Sequence, residues 1–369
     1  MKKLAIIGAS YLQLPLVQKA KEMGIETHCF AWTEGAVCKD VANFFYTVSI
    51  LEKEEILEIC KKIKIDGITT IASDAAVPTV CFVAERMNLI SNSFENSLIT
   101  TDKYKMRRKF LENNVASPKF TIANDNIDFK DFSLPLIVKP TDRSGSRGVF
   151  KVENRNNLSN AIERAKSESF IKQVIVEEFV SGNEVSVETV SWEGKHYILA
   201  ITDKTTTGEP YFVELEHHQP SLLPDSLQDK IKKETIKALN ALNIQYGASH
   251  TEIKITESGK VYLIEVGARM GGDFIGSDLV KLSTGYDFLK AVIEIALNEF
   301  SEPKITEQKF SGVYFLCKET EQLKQFIENK NQYSEIVQAE FTDNELRSIQ
   351  QSADRNGYFI YQANKKFVI

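Results

Sequence analysis

Two short runs of alternating residues past the middle of the chain constrain its fold more than any other feature. Thr251, Ile253 and Ile255 alternate with polar residues, and after a turn that contains Gly259 a second apolar run covers residues 261–266. Period-two runs separated by such a turn are typical of paired antiparallel strands. The sequence therefore predicts a β-hairpin, and with it an antiparallel sheet.

The predicted hairpin carries two carboxylates, Glu252 on its first strand and Glu265 near the end of its second. A carboxylate among apolar neighbours is costly unless a cation neutralises it, and Mg²⁺ prefers carboxylate oxygens together with substrate phosphates. Arg269 and the pair Gly271-Gly272 follow, and glycine lets a backbone approach a ligand closely. We expect a metal and phosphate site here. A surface hairpin with solvated glutamates is the alternative, and for Glu252 alone it is the favoured one.

A second signal is Lys139, which ends an apolar strand at residues 134–140 and is followed by a loop rich in serine and glycine. Backbone N–H groups of such a loop can cradle phosphate oxygens, and the lysine adds a point charge. The chain has no GxxxxGK[ST] pattern, so this is not a Walker loop. A plain hairpin turn is the less favoured interpretation. The loop residues expected at phosphates are Ser144, Gly145, Ser146 and Gly148.

The first hundred residues alternate between strand and helix patterns, which indicates a parallel sheet. A nicotinamide cofactor is disfavoured because the loop Gly8-Ala9-Ser10 lacks the GxGxxG fingerprint. Loops 10–13 and 73–74 follow predicted strands, where ligands bind in such sheets, although caps of helices and loops explain Ser73 and Asp74 equally well. The predicted elements are strands at 3–8, 25–32 and 67–72 and helices at 12–23 and 53–63.

Together these motifs resemble the ATP-grasp enzymes, and most of all their carboxylate–amine (L-amino-acid) ligases. The hairpin glutamates with Arg269 and its glycines resemble the signature E…E-x-N-x-R-x-x-G. Gly267 stands where many members have an asparagine metal ligand, which leaves the number of bound metals open. The stretch from Lys139 resembles the lid of these enzymes. The segment from Lys103 to Arg107 resembles the one that supplies a lysine to the phosphates.

The pattern E-E-F-V-x-G-x-E at residues 177–184 resembles the hinge of the same enzymes. The resemblance places Glu177, Glu178, Phe179 and Val180 at the nucleotide, with the backbone around residues 178–180 at the adenine edge. It places Glu184 at the ribose hydroxyls, and a carboxylate after a tight turn suits two vicinal hydroxyls. Glu177 and Glu178 could instead be exposed positions of an edge strand.

The resemblance implies ATP-dependent joining of a carboxylate to an amine through an acyl phosphate, with release of ADP and phosphate. Lys103 and Lys139 would hold phosphates, and Glu252 and Glu265 would hold Mg²⁺, which Mn²⁺ could replace. Arg269 and Lys139 would act in catalysis. The residues expected at the substrates are Lys204, His217, His250, Arg269, Gly271 and Gly272.

Two other functions compete with this one. An ATP-grasp carboxylase or carbamoyl-phosphate-type enzyme, which activates bicarbonate as carboxyphosphate, would use the same nucleotide residues. A nucleotide-binding regulatory protein without turnover belongs to a different class, and the presence of Lys139, Glu252, Glu265 and Arg269 speaks against it.

Composition bounds the partners and the compartment. A net charge of −6 argues against general nucleic-acid binding, and no apolar run is long enough to span a membrane. Five scattered cysteines without a CxxC pair favour reduced thiols in a cytoplasm. We therefore expect small-molecule carboxylate and amine substrates, and a homodimer is left open.

The expected fold class is α/β and α+β. A Rossmann-like pre-ATP-grasp domain would cover residues 1–95, and an ATP-grasp domain would cover residues 96–304, with a mobile lid at about 116–178. A small C-terminal α+β module would cover residues 305–369. The sequence offers no chemistry in that last segment.

Overall fold

The computed structural model describes residues 1–123, 129–343 and 345–369. The predicted lid includes residues 124–128, which lie outside the described residues. No helix in the described ranges is both long enough and apolar enough to cross a membrane. All five cysteines are free and buried, as expected for thiols that serve as small core side chains.

The N-terminal part is a four-stranded parallel sheet, which confirms the predicted α/β pattern. Its strand order is β3-β2-β1-β4, and β1 is paired in parallel with both β2 and β4. Apolar residues such as Ile6, Leu16 and Cys29 pack between this sheet and its helices. The elements are β1 (Lys3–Ile7), α1 (Leu14–Glu22), β2 (Glu26–Ala31), β3 (Phe44–Thr47), α2 (Lys53–Ile63), β4 (Gly67–Thr69) and α3 (Val77–Met87).

Two helices lead from this sheet to the rest of the chain, α4 (Phe94–Thr100) and α5 (Lys103–Glu112). Asp102 caps α5, because its side chain accepts hydrogen bonds from the backbone N–H groups of Tyr104 and Lys105. This cap places Lys103 in the first helical turn.

The second sheet has four antiparallel strands in the order β5-β8-β6-β7, and we call it the small sheet. Strand β8 lies between two neighbours and buries Glu177, which is 2% exposed. The interpretation of Glu177 as an exposed residue of an edge strand is therefore wrong. The elements are β5 (Phe120–Ile122), β6 (Leu136–Pro140), β7 (Phe150–Val152), α6 (Leu158–Glu168) and β8 (Val174–Glu178).

The third sheet, called the large sheet, has eight antiparallel strands in the order β13-β12-β9-β10-β11-β14-β16-β15. The predicted hairpin is its β12–β13 edge, and α7 packs on the face that Ile253 and Leu263 bury. The elements are β9 (Asn183–Trp192), β10 (Lys195–Thr206), β11 (Glu214–Gln219), α7 (Asp225–Ala241), β12 (Gly247–Ile255), β13 (Val261–Gly267), α8 (Val280–Thr284), α9 (Phe288–Ala296), β14 (Phe310–Leu316), α10 (Lys324–Glu328), β15 (Ile336–Phe341) and β16 (Gly357–Ala363).

The C-terminal strands belong to the large sheet. Strand β14 pairs with β11, and β16 and β15 continue the sheet beyond it. Residues 305–369, expected as a module of their own, therefore extend a sheet that begins at Asn183. The pairing of β11 with β14 joins segments about a hundred residues apart, which no local pattern reveals. The division at residues 95 and 304 stays a prediction.

Candidate active site

A cleft of about 220 Å³ opens where the small sheet, the large sheet, α5 and the N-terminal part meet. It brings together most of the predicted site residues from five separate stretches of the chain. The predicted residues that line it are Lys103, Lys139, Ser144, Gly145, Ser146, Glu177, Glu178, Phe179, Val180, Glu184, His250, Glu252, Glu265 and Arg269.

The hairpin places its two glutamates opposite each other. Glu252 and Glu265 are partners in the register of β12 and β13, as the sequence predicts. Lys103 Nζ lies 2.9 Å from Glu265 Oε1, and Lys204 Nζ lies 3.0 Å from Glu252 Oε1. Burial raises the pKa of the Glu252 carboxyl, but Lys204 and His250 outweigh burial and hold it well below its ordinary value. Glu252 is therefore ionised at neutral pH.

An ion pair between Asp74 and Arg269 leaves no room for a side chain at Gly267. A Cβ atom there would lie 2.7 Å from Asp74 Oδ1 and 3.1 Å from Arg269 Cζ. A larger residue would displace this pair, so an asparagine ligand does not fit the present arrangement. The hairpin therefore offers a cation two carboxylates and no third ligand from position 267.

The loop between β6 and β7 has the backbone that its glycines predict. Gly145, Ser146 and Gly148 all have left-handed φ angles, of 66°, 55° and 72°. Lys103 Nζ donates a hydrogen bond of 2.6 Å to the Arg143 carbonyl and so ties α5 to this loop. Arg143 and Arg147 also line the cleft, which adds two cations that the sequence analysis did not single out. Gly148 lies behind the lining, against Pro140 and Glu168.

The hinge offers fewer donors than expected. The N–H of Glu178 donates to the Lys119 carbonyl at 2.9 Å, and the N–H of Phe179 donates to the Pro135 carbonyl at 3.0 Å. Both groups are satisfied within the protein, which leaves the Val180 N–H as the donor of residues 178–180 for a base edge. The contact with adenine stays a prediction, and the backbone N–H of Val180 is its expected donor.

Lys204 lies beneath the cleft as the centre of an acidic cluster. Its ammonium is 2.7 Å from Glu184, 3.0 Å from Glu252 and 3.6 Å from Glu214, and the side chain is only 2% exposed. Burial lowers the pKa of Lys204, but these carboxylates outweigh burial and raise it well above its ordinary value. Lys204 therefore holds carboxylates in place, and Glu184 keeps a second lysine, Lys254, at 3.0 Å from its other oxygen.

Arg269 makes a two-pronged ion pair with Asp74. Nε donates to Oδ1 at 2.9 Å and Nη2 donates to Oδ2 at 2.8 Å, which matches the planar fork of the guanidinium. Burial raises the pKa of Asp74, but Arg269 outweighs burial and lowers it. Asp74 follows β4, at the strand end where ligands bind in parallel sheets. The sequence signal was its position, and capping was an equally good explanation for it.

His250 lies on the same face of β12 as Glu252, as predicted, and it is paired with the fully buried Glu188. Burial lowers the pKa of His250, but Glu188 and Glu252 outweigh burial and raise it to about 9. The other oxygen of Glu188 accepts a hydrogen bond of 3.1 Å from the Gly271 N–H. Glu188 interrupts an apolar strand just as Glu252 does, so the sequence contains the same signal at both positions.

Three predicted substrate residues lie away from the cleft. His217 is 1% exposed and packs edge-on against Phe315. A Cβ at Gly271 would lie 2.7 Å from both Glu188 and His250, so protein packing already explains this glycine. Gly271 and Gly272 line a separate small hollow beside Tyr11. The structure does not bring these three residues together with the others, and their role at a substrate stays untested.

The cleft fits Mg²⁺ held together with phosphates. Each of Glu252 and Glu265 has one oxygen on a lysine, and neither Oε2 atom has a protein partner among the described residues. No group of three or more metal-ligating side chains occurs in the described part of the chain. Phosphate oxygens and water would complete the coordination, which is the usual arrangement for Mg²⁺.

Comparison with known proteins shows what part of this chain is similar to. Residues 132–278 match the model of the ATP-grasp domain. Alanine–anticapsin ligase of Bacillus subtilis is 30% identical over 245 residues, which cover 59% of this chain and 51% of the relative. D-alanine–D-alanine ligase of Cupriavidus metallidurans is 29% identical over 199 residues, which cover 51% of this chain and 59% of the relative.

Among solved structures, an L-amino acid ligase from Bacillus licheniformis superposes with a TM-score of 0.84 at 24% identity, covering 99% of this chain and 94% of that chain. At this identity the likeness shows the fold, and it confirms the predicted architecture. The chain spans about half the length of the curated alanine–anticapsin ligase that it matches.

Proposed function

We propose that this chain, whose residues 132–278 match the model of the ATP-grasp domain, is an ATP-dependent ligase that joins a carboxylate to an amine. The observation that carries the proposal is the cleft itself. It gathers two lysines and a glycine-rich loop suited to phosphates, two opposed glutamates suited to Mg²⁺, and an arginine suited to a carboxylate. A nicotinamide enzyme has no need of the two opposed glutamates that suit Mg²⁺.

The chain's own residues would divide the nucleotide between them. Lys103, Lys139 and the loop 143–148 would hold the phosphates, because they supply two ammonium groups and a run of backbone N–H donors. The Val180 N–H would read the base, and Glu184 would accept the ribose hydroxyls. Mg²⁺ on Glu252 and Glu265 would neutralise phosphate charge when bound.

The reaction follows from the poor reactivity of a carboxylate towards amines. A carboxylate oxygen would attack the γ-phosphorus of ATP, the bond from that phosphorus to ADP would break, and an acyl phosphate would form. The neutral amine nitrogen would then attack the carbonyl carbon, the bond from that carbon to the phosphate oxygen would break, and the amine would lose one proton to the departing phosphate or to water. Arg269, fixed by Asp74, would hold the substrate carboxylate and neutralise the developing charge.

Water must be kept from the acyl phosphate, which it would hydrolyse. The loop 143–148 covers one side of the cleft, and the Lys103 ammonium contacts both this loop and Glu265. Closure of the loop over the nucleotide would therefore be linked to the metal site through one side chain.

The test is a screen of amino acid pairs and small carboxylates with amines for release of ADP and phosphate. For a hit, the carboxylate is labelled with ¹⁸O in both oxygens. One label should appear in the released phosphate, and the coupled product should be found by mass spectrometry. ADP release that requires bicarbonate alone would overturn the ligase proposal in favour of carboxyphosphate chemistry, and stabilisation of the protein by NADH but not by Mg²⁺-ATP would overturn both.

A further inference from the structure

A buried arginine outside the cleft lining makes an ionic contact that the proposed mechanism does not use. Arg107 is completely buried on α5, and its Nε atom lies 2.7 Å from Glu177 Oε1. The other oxygen of Glu177 lies 2.7 Å from Lys139 Nζ. One carboxylate is thus shared by two cations, and all three side chains are at most 6% exposed.

The contact between Arg107 and Glu177 is an ion pair and not a hydrogen bond. Arg107 Nε and Glu177 Oε1 are close but poorly aligned, so neither atom has a hydrogen-bond partner in the described ranges. Arg107 is anchored elsewhere, because its Nη2 donates a hydrogen bond of 2.7 Å to the Ile264 carbonyl on β13. Arg107 therefore acts on Glu177 mainly through its charge.

The charge balance of these three residues indicates what Arg107 does. A lone Glu177–Lys139 pair would be neutral, and Lys139 would have little charge to offer an anion. With Arg107 present, two cations share one carboxylate and the group carries one net positive charge inside the protein. A buried charge without a counterion is costly, and of the two cations only Lys139 lines the cleft.

We propose that Arg107 is a positioning residue for nucleotide binding: by sharing the Glu177 carboxylate it leaves the Lys139 ammonium able to bind a phosphate anion. This inference rests on the proposed function, because it takes the anion at Lys139 to be a nucleotide phosphate. Arg107 itself does not contact the nucleotide, and it acts through Glu177 and Lys139.

The ionisation of Lys139 agrees with this arrangement. Burial lowers the pKa of Lys139, Glu177 opposes the shift, and the positive charges of Arg107 and Lys103 add to it, with Glu265 as a weaker opposing charge. Removing the positive charge of Arg107 should therefore raise the pKa of Lys139.

The experiment measures the affinity for ADP, without and with Mg²⁺, by titration calorimetry on wild type and four variants of the whole chain. Arg107→Gln keeps a donor for the Ile264 carbonyl and removes the charge, and it should weaken ADP binding by about ten- to a hundred-fold, the range for a residue that acts through a directly binding side chain. Arg107→Lys keeps the charge and should lie closer to wild type.

The decisive protein is the double variant Arg107→Gln with Glu177→Gln. It restores one net positive charge, on Lys139 alone, so it should bind ADP more tightly than the single variant Arg107→Gln. A structural role predicts the opposite, because a second buried polar group has been altered. The alkaline decline of ADP affinity should also move to higher pH in Arg107→Gln than in wild type.

Arg108 provides the matched control. It is the next residue on α5, its side chain is 54% exposed, and it pairs with Glu112 on the surface. Arg108→Gln should leave ADP affinity unchanged. If wild type binds no ADP, the proposed function fails. If wild type binds ADP and Arg107→Gln binds it equally, or the double variant binds more weakly than the single, the role of Arg107 fails and the proposed function stands.

Discussion

In the proposed function the cleft has a nucleotide end around Lys103 and Lys139 and an acceptor end around Arg269 and His250. Around Lys103 and Lys139 the cations outnumber the carboxylates they are paired with, whereas Arg269 and His250 each have a carboxylate of their own. Lys103, Lys139 and Arg107 share two carboxylates at the first end. At the second end Arg269 is matched by Asp74, and His250 is matched by Glu188. The first end is short of negative charge, and an anionic ligand would supply it. The second end is balanced before any ligand arrives.

This difference bears on what each end can bind. A site with net positive charge favours phosphates, because their negative charge neutralises it. A site of matched pairs favours a ligand that is neutral as a whole, since a net charge would upset the balance. An amino acid carries one positive and one negative group at neutral pH, so it suits the acceptor end better than a simple dianion does. Variants at the two ends should therefore fail in different ways.

The largest effect should come from Glu265 at the nucleotide end. Glu265→Gln keeps an acceptor for Lys103 and removes the charge that would bind Mg²⁺. Activity should fall by about a hundred-fold or more, the scale for losing a group that neutralises transition-state charge. The part of the ADP-induced rise in melting temperature that depends on Mg²⁺ should vanish.

The control for this variant is Glu257→Gln, an exposed glutamate in the turn of the same hairpin. It should behave as wild type in both measurements. A Glu265→Gln protein that keeps the full Mg²⁺-dependent shift would show that the metal site lies elsewhere. Because Glu265 already pairs with Lys103, some loss of stability without nucleotide is expected and does not bear on the metal.

The nucleotide end was largely predictable from the sequence, because its residues stand in short segments with a physical anomaly. Lys139 ends an apolar strand before a glycine-rich loop, and Glu265 interrupts an apolar run. Such anomalies can be seen without knowing which segments meet. The parallel and antiparallel parts of the fold were predictable for the same reason, since each strand and helix has its own period.

Arg269 and His250 were expected at the acceptor end, but their ion pairs with Asp74 and Glu188 were not predictable, because these pairs join residues that share no local pattern. Asp74 and Arg269 are separated by 195 residues along the chain, and Glu188 and Gly271 are separated by 83 residues. Each residue alone has an ordinary explanation as a cap, a strand residue or a turn. Gly267 and Gly271 are two examples, because a Cβ atom at either position would clash with side chains from distant segments.

A smaller and more selective effect is expected from Arg269 at the acceptor end. Arg269→Lys keeps the charge and loses both the two-pronged contact with Asp74 and the remaining Nη donors that would face a substrate carboxylate. We expect kcat/KM for the carboxylate substrate to fall by roughly ten-fold or more, while ADP affinity stays within about two-fold, which is a loss below about 0.5 kcal/mol. Steady-state kinetics and calorimetry on the same preparation measure both quantities.

The outcome of that variant tests whether the two ends are separate. An equal loss of ADP affinity and of kcat/KM would mean that Arg269 serves the nucleotide phosphates, and the acceptor end would have to be placed elsewhere. Unchanged kinetics would mean that the guanidinium is only a structural partner of Asp74.

The smallest effect should be a pH dependence of stability that arises at the acceptor end. The pKa of His250 is raised to about 9 in the folded protein, above its ordinary value. A raised pKa contributes stability that is fully present below the unfolded pKa of about 6.5 and is lost as pH rises through the folded value. The free energy of unfolding of wild type should therefore decline between about pH 6.5 and 9 relative to a variant without this group. For a buried, strongly paired histidine we expect a decline of about 1–3 kcal/mol.

Urea unfolding of wild type and His250→Gln at pH 6 and pH 9.5 measures this decline, and the difference in unfolding free energy between the two proteins should shrink at the higher pH. His196→Gln is the matched control, because burial lowers the pKa of His196, so this group is neutral throughout the window. Parallel curves for wild type and His250→Gln would show that His250 carries no extra proton, and the balanced charge of the acceptor end would then be wrong.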